Sequence, residues 1–194
     1  MINKCDLRIL KTHKNIKNTF SNLLLEKHFK DITVQNICDE ALIGRSTFYA
    51  HFCDKYDLLN KMVEEVAKDF KKHIEIRFNS DNSDNSNDFT EIVDNMIKYL
   101  STKKNTISAL LEVHTETADL YSTLKNILIE SCSSYLENKN FISKYNVSNK
   151  FICAQYAAYV LTSVQLWVES DEHDHTLELS NKVQALLFKC DNPL

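Results

Sequence analysis

The chain has 194 residues, of which 43% are hydrophobic, and a formal net charge of −4 at pH 7. It is therefore long enough and apolar enough to bury a sizeable core. It contains one glycine and one proline, which excludes a fold rich in tight β-turns and predicts an all-α protein.

The charges are distributed unevenly along the chain. Residues 1–30 carry seven basic and two acidic residues, a net charge of +5, whereas residues 79–194 carry nine basic and sixteen acidic residues, a net charge of −7. A basic end on an acidic body is expected of a protein that meets phosphate with one end only. On this feature alone, ordinary solvated helix surfaces stay an open alternative.

The six cysteines form no C-x-x-C pair, and the basic, amphipathic first thirty residues lack the apolar block of a signal peptide. We therefore predict a cytoplasmic protein whose cysteines are free thiols acting as small apolar residues. The cysteines are Cys5, Cys38, Cys53, Cys132, Cys153 and Cys190.

The N-terminal region predicts an arm followed by a helix. Residues 1–11 are interpreted as the arm, and Thr12 is a suitable cap for a helix that ends near Lys27. The apolar face of this helix consists of Ile16, Phe20, Leu23 and Leu24. Its other face is basic and polar, so we expect it to lie along phosphates while the helix braces the next two.

Residues 33–59 predict two short helices followed by the start of a third. Thr33 is an N-cap residue, and the apolar positions after it recur at the spacing of one helix face: Val34, Ile37, Cys38 and Ala41. The first helix ends at Leu42, Ile43 and Gly44, and Gly44 is the only glycine in the chain. This arrangement is typical of a helix-turn-helix motif.

The second short helix carries Phe48 and Phe52 on one face. Its opposite face carries only hydrogen-bonding groups: Arg45, Ser46, Thr47, Tyr49 and His51. A helix-turn-helix motif places its second helix in the major groove of DNA, with the N-terminal residues toward the base edges. The pattern therefore favours DNA recognition over a purely structural helix.

This stretch resembles the DNA-binding domain of the tetracycline-repressor (TetR/AcrR) family of transcriptional regulators, over about residues 12–59. The matching residues are Thr33, Val34, Ile37, Ala41, Ile43, Arg45, Ser46, Thr47, Phe48, Tyr49, His51, Phe52, Asp54, Lys55, Leu58 and Leu59. The family usually has glycine where this chain has Leu42, and serine where it has Gly44. Glycine is an acceptable N-cap, whereas a left-handed conformation costs a leucine about 1 kcal/mol.

The chemistry of these residues suggests their roles at DNA. Arg45 is the candidate for a bidentate guanine contact, Ser46 lies beside it, and Thr47 is expected at a thymine methyl or a phosphate. Phosphate contacts are expected from Thr33, Tyr49, His51 and Lys55, where Lys55 stands at the position of a family phosphate contact. One recognition helix makes few base contacts, so we expect a homodimer on a near-palindromic operator of double-stranded DNA.

The rest of the chain predicts a helical body. Asp54 caps a long helix that continues to about Arg77, and residues 79–88 contain no apolar side chain and read as a loop. A calcium loop there is disfavoured because the glycine and the terminal glutamate are missing. Further helices are predicted from the apolar periodicity at 89–100, 107–113, 117–138, 151–168 and 177–187, which makes about nine helices in all.

Residues 151–168 are apolar on nearly all sides and have the length of a membrane span. Gln155, Thr162, Ser163 and Gln165 interrupt the segment, and Lys150 is the only positive flank. We therefore interpret it as a helix buried by its own domain and by a partner subunit, with no membrane partner.

The resemblance implies two domains: a DNA-binding domain over residues 1–53 and an effector-binding and dimerisation domain over residues 54–194. The family encloses a small-molecule pocket in the second domain. Candidate effector-binding residues, each also compatible with a core or interface position, are Tyr99, His114, Glu116, Tyr121, Tyr156 and Trp167. The acidic and histidine cluster at 171–175 is interpreted as a cap rather than a metal site.

The sequence thus predicts a TetR-like repressor that a small-molecule effector releases from DNA. The alternative is a helix-turn-helix dimer whose body docks another protein, acting as an activator. An enzyme is not expected, because the chain has no glycine-rich phosphate loop, no nucleophile elbow and no paired carboxylates in a suitable context. No cofactor and no metal are predicted, and no catalytic residues.

Overall fold

A computed structural model describes residues 4–79, 98–143 and 146–170, and the regular elements within these ranges are helices. The predicted all-α fold is confirmed. A 3-10 turn spans Phe29–Asp31, residues 98–102 are helical, and the α-helices are α1 (Lys4–Glu26), α2 (Val34–Glu40), α3 (Arg45–Tyr49), α4 (Lys55–Asn79), α5 (Lys104–Leu111), α6 (Leu120–Asn138) and α7 (Asn149–Glu169).

The chain divides into two compact units that are not the two halves of the sequence. The first unit consists of Met1–Val66 and Asn105–Leu120, and the second consists of Ala67–Lys104 and Tyr121–Leu194. α4 therefore contributes its first part to one unit and its remainder to the other. The predicted division at residue 53 differs from this one. It assigns the whole of α4 and the segment 105–120 to the C-terminal domain.

α1 begins at Lys4, eight residues before Thr12, which was the predicted cap. The predicted arm over residues 1–11 is wrong from Lys4 onward. Thr12 does not cap a helix end; its hydroxyl donates to the carbonyl of Arg8 at 3.0 Å, one turn back within the helix. The segment has no glycine or proline, so nothing local stops the helix from extending toward the N-terminus.

The turn between α2 and α3 closes with a Schellman motif. The amide of Ile43 donates to the carbonyl of Cys38 at 3.0 Å, and the amide of Leu42 donates to the carbonyl of Asp39 at 3.3 Å. These bonds hold Leu42 at φ 54°, in the left-handed region that favours glycine. Gly44 then caps α3 in an extended conformation, at φ −74° and ψ 151°.

Leu42→Gly is expected to stabilise the first unit. The leucine side chain is 91% exposed, so its removal loses little packing. It relieves a left-handed strain of about 1–2 kcal/mol, against about 0.5–1 kcal/mol of backbone entropy that glycine costs. Urea denaturation should show a gain of about 0.5–1 kcal/mol. Leu42→Ala, which keeps the Cβ, should give no gain, and an equal gain from both variants would contradict this account.

The remaining helices follow the predicted pattern with small shifts of their ends. Asp54 caps α4, since its Oδ1 accepts from the amides of Tyr56 and Asp57 at 2.8 Å each. α6 ends at Asn138, and the connection after it contains two asparagines, Asn140 and Asn146, at positive φ. Four predicted features lie outside the described residues: the loop beyond residue 79, the part of the predicted helix before residue 98, the cluster at 171–175 and the helix at 177–187.

α7 is the one helix in the described ranges that is long and apolar enough to cross a membrane. A helix in the core of a globular protein can have the same length and composition, so these two properties do not distinguish it from a membrane span. Eight of its residues are buried, from Cys153 to Trp167, and the Ser148 side chain caps its N-terminus by accepting from the amide of Phe151 at 3.3 Å. This burial agrees with its interpretation as a core helix.

Candidate nucleic-acid interface

α3 is a single short helix that two buried rings hold in place. Phe48 and Phe52 are 0% and 1% exposed, and their ring centroids lie 5.7 Å apart. On the other side, Arg45 and Ser46 are exposed and Tyr49 is 56% exposed, whereas Thr47 is half-buried. A five-residue helix is not stable alone, so the buried rings are what present its polar face to solvent.

α1 braces the helix-turn-helix motif with polar contacts as well as apolar ones. The Asn15 side-chain amide donates to the carbonyl of Ala41, the last residue before the turn, at 2.8 Å. Further along α1, Lys17 forms an ion pair with Glu65 of α4. The turn that orients α3 is therefore fastened to α1 directly.

Arg45 does not stand alone on the exposed face. Its Nε donates to Oε1 of Gln35 in α2, and Nε2 of Gln35 donates in turn to Oδ1 of Asp39. The sequence analysis missed Gln35, although the four-residue spacing of Gln35 and Asp39 is the spacing at which helical side chains meet. The result is a polar chain that joins the two helices of the motif across their exposed side.

Thr33 caps α2 through a capping box. Its hydroxyl accepts from the amide of Asn36 at 3.1 Å and donates to Oδ1 of the same residue at 2.8 Å. The Asn36 side chain also accepts from the backbone amide of Thr33 at 2.9 Å. The cap is confirmed, and Thr33 remains exposed where the phosphate contact is predicted.

Lys55 has contacts that differ from the predicted phosphate contact. Its Nζ donates to the carbonyls of Phe29, Lys30 and Ile32 at 2.8, 3.1 and 2.7 Å, and it lies 4.6 Å from the centroid of the Phe29 ring. An ammonium group has three protons, and all three are used here. Burial lowers the pKa of Lys55, which Asp31 opposes. Lys55 therefore closes the 3-10 turn between α1 and α2.

His51 also turns toward the protein rather than outward with Arg45 and Tyr49. Its Nδ1 lies 3.1 Å from Nε2 of His13 in α1, and the two rings meet edge to face at 4.6 Å. Lys61 of α4 donates to the His51 carbonyl at 3.4 Å. The exposed polar surface of α3 therefore ends at Tyr49. His51 lies just after α3 and connects this part of the chain to α1.

We expect the first unit to lose stability as pH falls below about 6.5, the usual pKa of histidine. The pKa of His13 is lowered by burial first, then by His51, Lys17 and Lys61, with Glu65 opposing. The unfolded chain therefore binds this proton more readily than the folded protein does. The contribution is fully present above the unfolded pKa and is lost as pH falls through the lower folded-state pKa.

Denaturation by urea at about pH 7.5 and about pH 5.5 measures this effect. His13→Gln should lose less stability between the two pH values than the parent does. His28→Gln is the matched control, because His28 is exposed in the same unit and its side chain makes no capping bond; it should keep the parent's pH dependence. Equal losses in the parent and in His13→Gln would show that the pair does not govern acid stability.

The six candidate effector residues are divided between the two units. His114 and Glu116 lie in the first unit and are exposed, and Nδ1 of His114 bonds Oδ2 of Asp119 at 2.9 Å. The other four lie in the second unit. Tyr121 is half-buried near the start of α6, and Tyr156 and Trp167 are buried in α7.

Among the described residues of the second unit, aromatic rings form three separate sets of contacts. The Phe78 ring lies 5.6 Å from that of Tyr156 and 5.2 Å from that of Tyr135. Tyr99 stacks on His73 with 4.9 Å between ring centroids. Lys104 lies 5.1 Å from the Trp167 ring and donates to the carbonyl of Ser170. Phe78, Tyr135 and His73 take part in these contacts, and the sequence had not singled them out.

The cysteines that the structure describes as free are Cys38, Cys53, Cys132 and Cys153. All except Cys53 are buried, as expected of small apolar residues. Burial raises the pKa of the Cys132 thiol, and a hydrogen bond with Cys153 adds to this. The protonated form is therefore favoured, which is typical of structural rather than reactive cysteines.

Comparison with known proteins supports the helix-turn-helix assignment. No protein-family model matches the chain. A curated relative, the uncharacterised helix-turn-helix-type transcriptional regulator YxbF of Bacillus subtilis (strain 168), is 31% identical over 72 residues, or 37% of this chain. The chain covers 19% of the length of that relative, so the similarity concerns a segment and not the whole protein.

Solved structures resemble the chain over nearly its full length. A protein of Syntrophomonas wolfei described as a TetR-family transcriptional regulator superposes with a TM-score of 0.67 at 21% identity, covering 91% of this chain and 94% of that one. NalD, the secondary repressor of the MexAB-OprM multidrug efflux pump in Pseudomonas aeruginosa, gives 0.66 at 18% identity, covering 92% and 96%. The chain has the fold of the TetR-family transcriptional regulators, and the resemblance expected from residues 12–59 is confirmed for the fold.

Proposed function

We propose that the protein is a cytoplasmic TetR-like transcriptional regulator that binds double-stranded DNA and acts as a repressor. The observation that carries this proposal is the geometry of α3. Its apolar side is fully buried, and Arg45, Ser46 and Tyr49 are presented to solvent together. An exposed helix of this kind, second in a helix-turn-helix motif, fits the major groove. Repression is supported by NalD, a repressor with the same fold.

A homodimer completes the proposed interface, because two copies double the few base contacts of one recognition helix. The exposed side of α7 supports this assembly. Phe151 and Leu166 are 55% and 54% exposed, and Ala158 and Thr162 lie between them on the same exposed face. These two large apolar side chains lie on the exposed face of a helix whose opposite face is buried, and we expect a partner to cover them.

Release by a small molecule would act through α4 in this proposal. The helix is continuous from Lys55 to Asn79 and supplies residues to both units. An effector held in the second unit, among residues such as Tyr99, Tyr121, Tyr156 and Trp167, would displace this helix and change the spacing of the two recognition helices. The effector must bind the DNA-incompetent state more tightly, since otherwise it shifts no equilibrium.

Selection of bound sequences from random DNA with the purified protein tests the proposal. We expect an enriched near-palindrome whose half-sites lie about one helical turn apart, about 34–36 Å. Affinity for it should fall steeply with salt concentration, because phosphate contacts release counterions. Recovery of no enriched sequence, or binding that is insensitive to salt, would overturn the proposal. Reporter expression from a promoter carrying the selected site then decides between repression and activation.

Arg45→Ala is expected to relax base preference at one position of each half-site. A bidentate arginine–guanine contact contributes about 1–3 kcal/mol of discrimination. Competition binding with operators substituted at single positions measures the loss. Ser134→Ala, at an exposed position of α6 in the second unit, is the control and should leave both affinity and preference unchanged. The role assigned to Arg45 would be wrong if the variant ranked all substituted operators as the parent does.

A further inference from the structure

Gln35 occupies a position in α2 where its two polar atoms are both committed, and by opposite partners. Its Oε1 accepts from Nε of Arg45, and its Nε2 donates to Oδ1 of Asp39. Arginine has only donors, and an ionised carboxylate has only acceptors. The amide therefore has one favourable orientation, because a flip would set donor against donor and acceptor against acceptor.

This contact changes what Arg45 can offer to a base. A guanidinium group has five N–H donors in a fixed fork, and the Nε donor is the one that Gln35 occupies. The donors on the two terminal nitrogens, Nη1 and Nη2, are the pair suited to an end-on bidentate contact with O6 and N7 of guanine. An arginine side chain that is free in solution loses its rotamer freedom when it binds DNA. Arg45 has already lost part of that freedom to Gln35, so ordering it at the DNA costs less.

We infer that Gln35 is a positioning residue for sequence recognition, acting from outside the recognition helix. Held by Asp39, it fixes the guanidinium of Arg45 so that the terminal nitrogens face the base edge. This inference rests on the proposed function, since it assigns a base contact to Arg45. The base preference of α3 would then depend on a residue of α2 that contacts Arg45 but does not contact the base.

Two variants with the parent's net charge test the inference. Gln35→Met removes both hydrogen bonds and keeps the length of the side chain. Gln35→Glu combined with Asp39→Asn rebuilds both hydrogen bonds: the carboxylate at position 35 still accepts from Arg45, and the bond between positions 35 and 39 reverses because the new amide donates to that carboxylate. Binding of the selected operator and of variants at the Arg45 base position is measured for each, with denaturation midpoints to show that both variants fold.

We expect Gln35→Met to lose discrimination at the Arg45 base position by about fivefold to tenfold, with the salt slope unchanged. The double variant should recover most of that discrimination. Gln35→Met added to Arg45→Ala should cause no further loss at that position, because the residue acts through Arg45.

Three results would overturn the inference. A uniform loss of affinity with unchanged base preference would make Gln35 a phosphate contact, and a loss of preference at a different base pair would make it a base reader itself. A double variant that behaves like Gln35→Met would show that the hydrogen-bonded chain is not responsible. Failure of the proposed function looks different, because the parent protein itself would then select no sequence.

Discussion

Phe48→Ala is expected to unfold much of the helix-turn-helix motif and to abolish DNA binding. The ring is 0% exposed, and its centroid lies 5.7 Å from that of the buried Phe52 ring. Truncating a buried phenylalanine costs about 3–5 kcal/mol, a large share of the roughly 5–15 kcal/mol that stabilises a domain. Urea denaturation followed by circular dichroism measures the loss, because the chain's single tryptophan, Trp167, lies in the second unit.

Tyr49→Ala is the matched control for this substitution. Tyr49 is the next residue and is 56% exposed, so its truncation should change the free energy of unfolding by no more than about 0.5 kcal/mol. It should still weaken DNA binding if Tyr49 contacts phosphate as predicted. The neighbouring positions thus separate stability from recognition, and a Tyr49→Ala variant as unstable as Phe48→Ala would contradict the outward placement of that ring.

Lys55→Met is expected to destabilise the first unit by about 2–3 kcal/mol. The variant keeps an unbranched side chain of similar length but removes three hydrogen bonds from a charged donor, and a hydrogen bond to a charged group contributes about 1.5–3 kcal/mol. Part of this loss is recovered because water can reach some of the carbonyls. The denaturation midpoint measures the loss. The salt slope of DNA binding, measured on the folded variant, should stay that of the parent.

Lys61→Met provides the comparison for Lys55. Lys61 pairs with Asp57 at 2.9 Å, but its side chain is 47% exposed, and an exposed pair of this kind contributes about 0–1 kcal/mol. The two lysines lie six residues apart on the same helix, so their helix propensities cancel in the comparison. If Lys55→Met is as stable as the parent and the slope of its DNA affinity against salt is shallower by about 0.9, the result would support the phosphate contact predicted from the sequence.

The ends of the helix-turn-helix elements could be predicted because capping is local chemistry. Thr33 and Asp54 each accept from amides within three residues of themselves, and Gly44 is the N-cap of α3 without a side-chain bond. Such positions are visible in the order of residues alone. The buried positions of α3 followed from periodicity for the same reason. The start of α1 was missed, because the absence of a helix breaker is weaker information than the presence of a cap.

The contacts of Lys55 and His51 could not be predicted from local pattern. Lys55 bonds carbonyls 23–26 residues back along the chain, and His51 pairs with a residue 38 positions away. Both side chains are polar on a helix face that reads as solvent-exposed, and nothing in the spacing distinguishes a phosphate partner from a protein carbonyl. Gln35 is different, since its i, i+4 relation to Asp39 is visible in the sequence and only its second partner, Arg45, required the fold.

The first unit also contains a segment from far along the chain, and this has a consequence for synthesis. Ser21, buried in α1, donates to Thr106 of α5 across a separation of 85 residues, and α5 brings Ile107, Ala109 and Leu110 as buried residues of that unit. A nascent chain that has left the ribosome only as far as residue 66 lacks these side chains, and its apolar surface stays uncovered. The helix-turn-helix end of the chain is therefore translated first but completes its folding only after the later segment emerges.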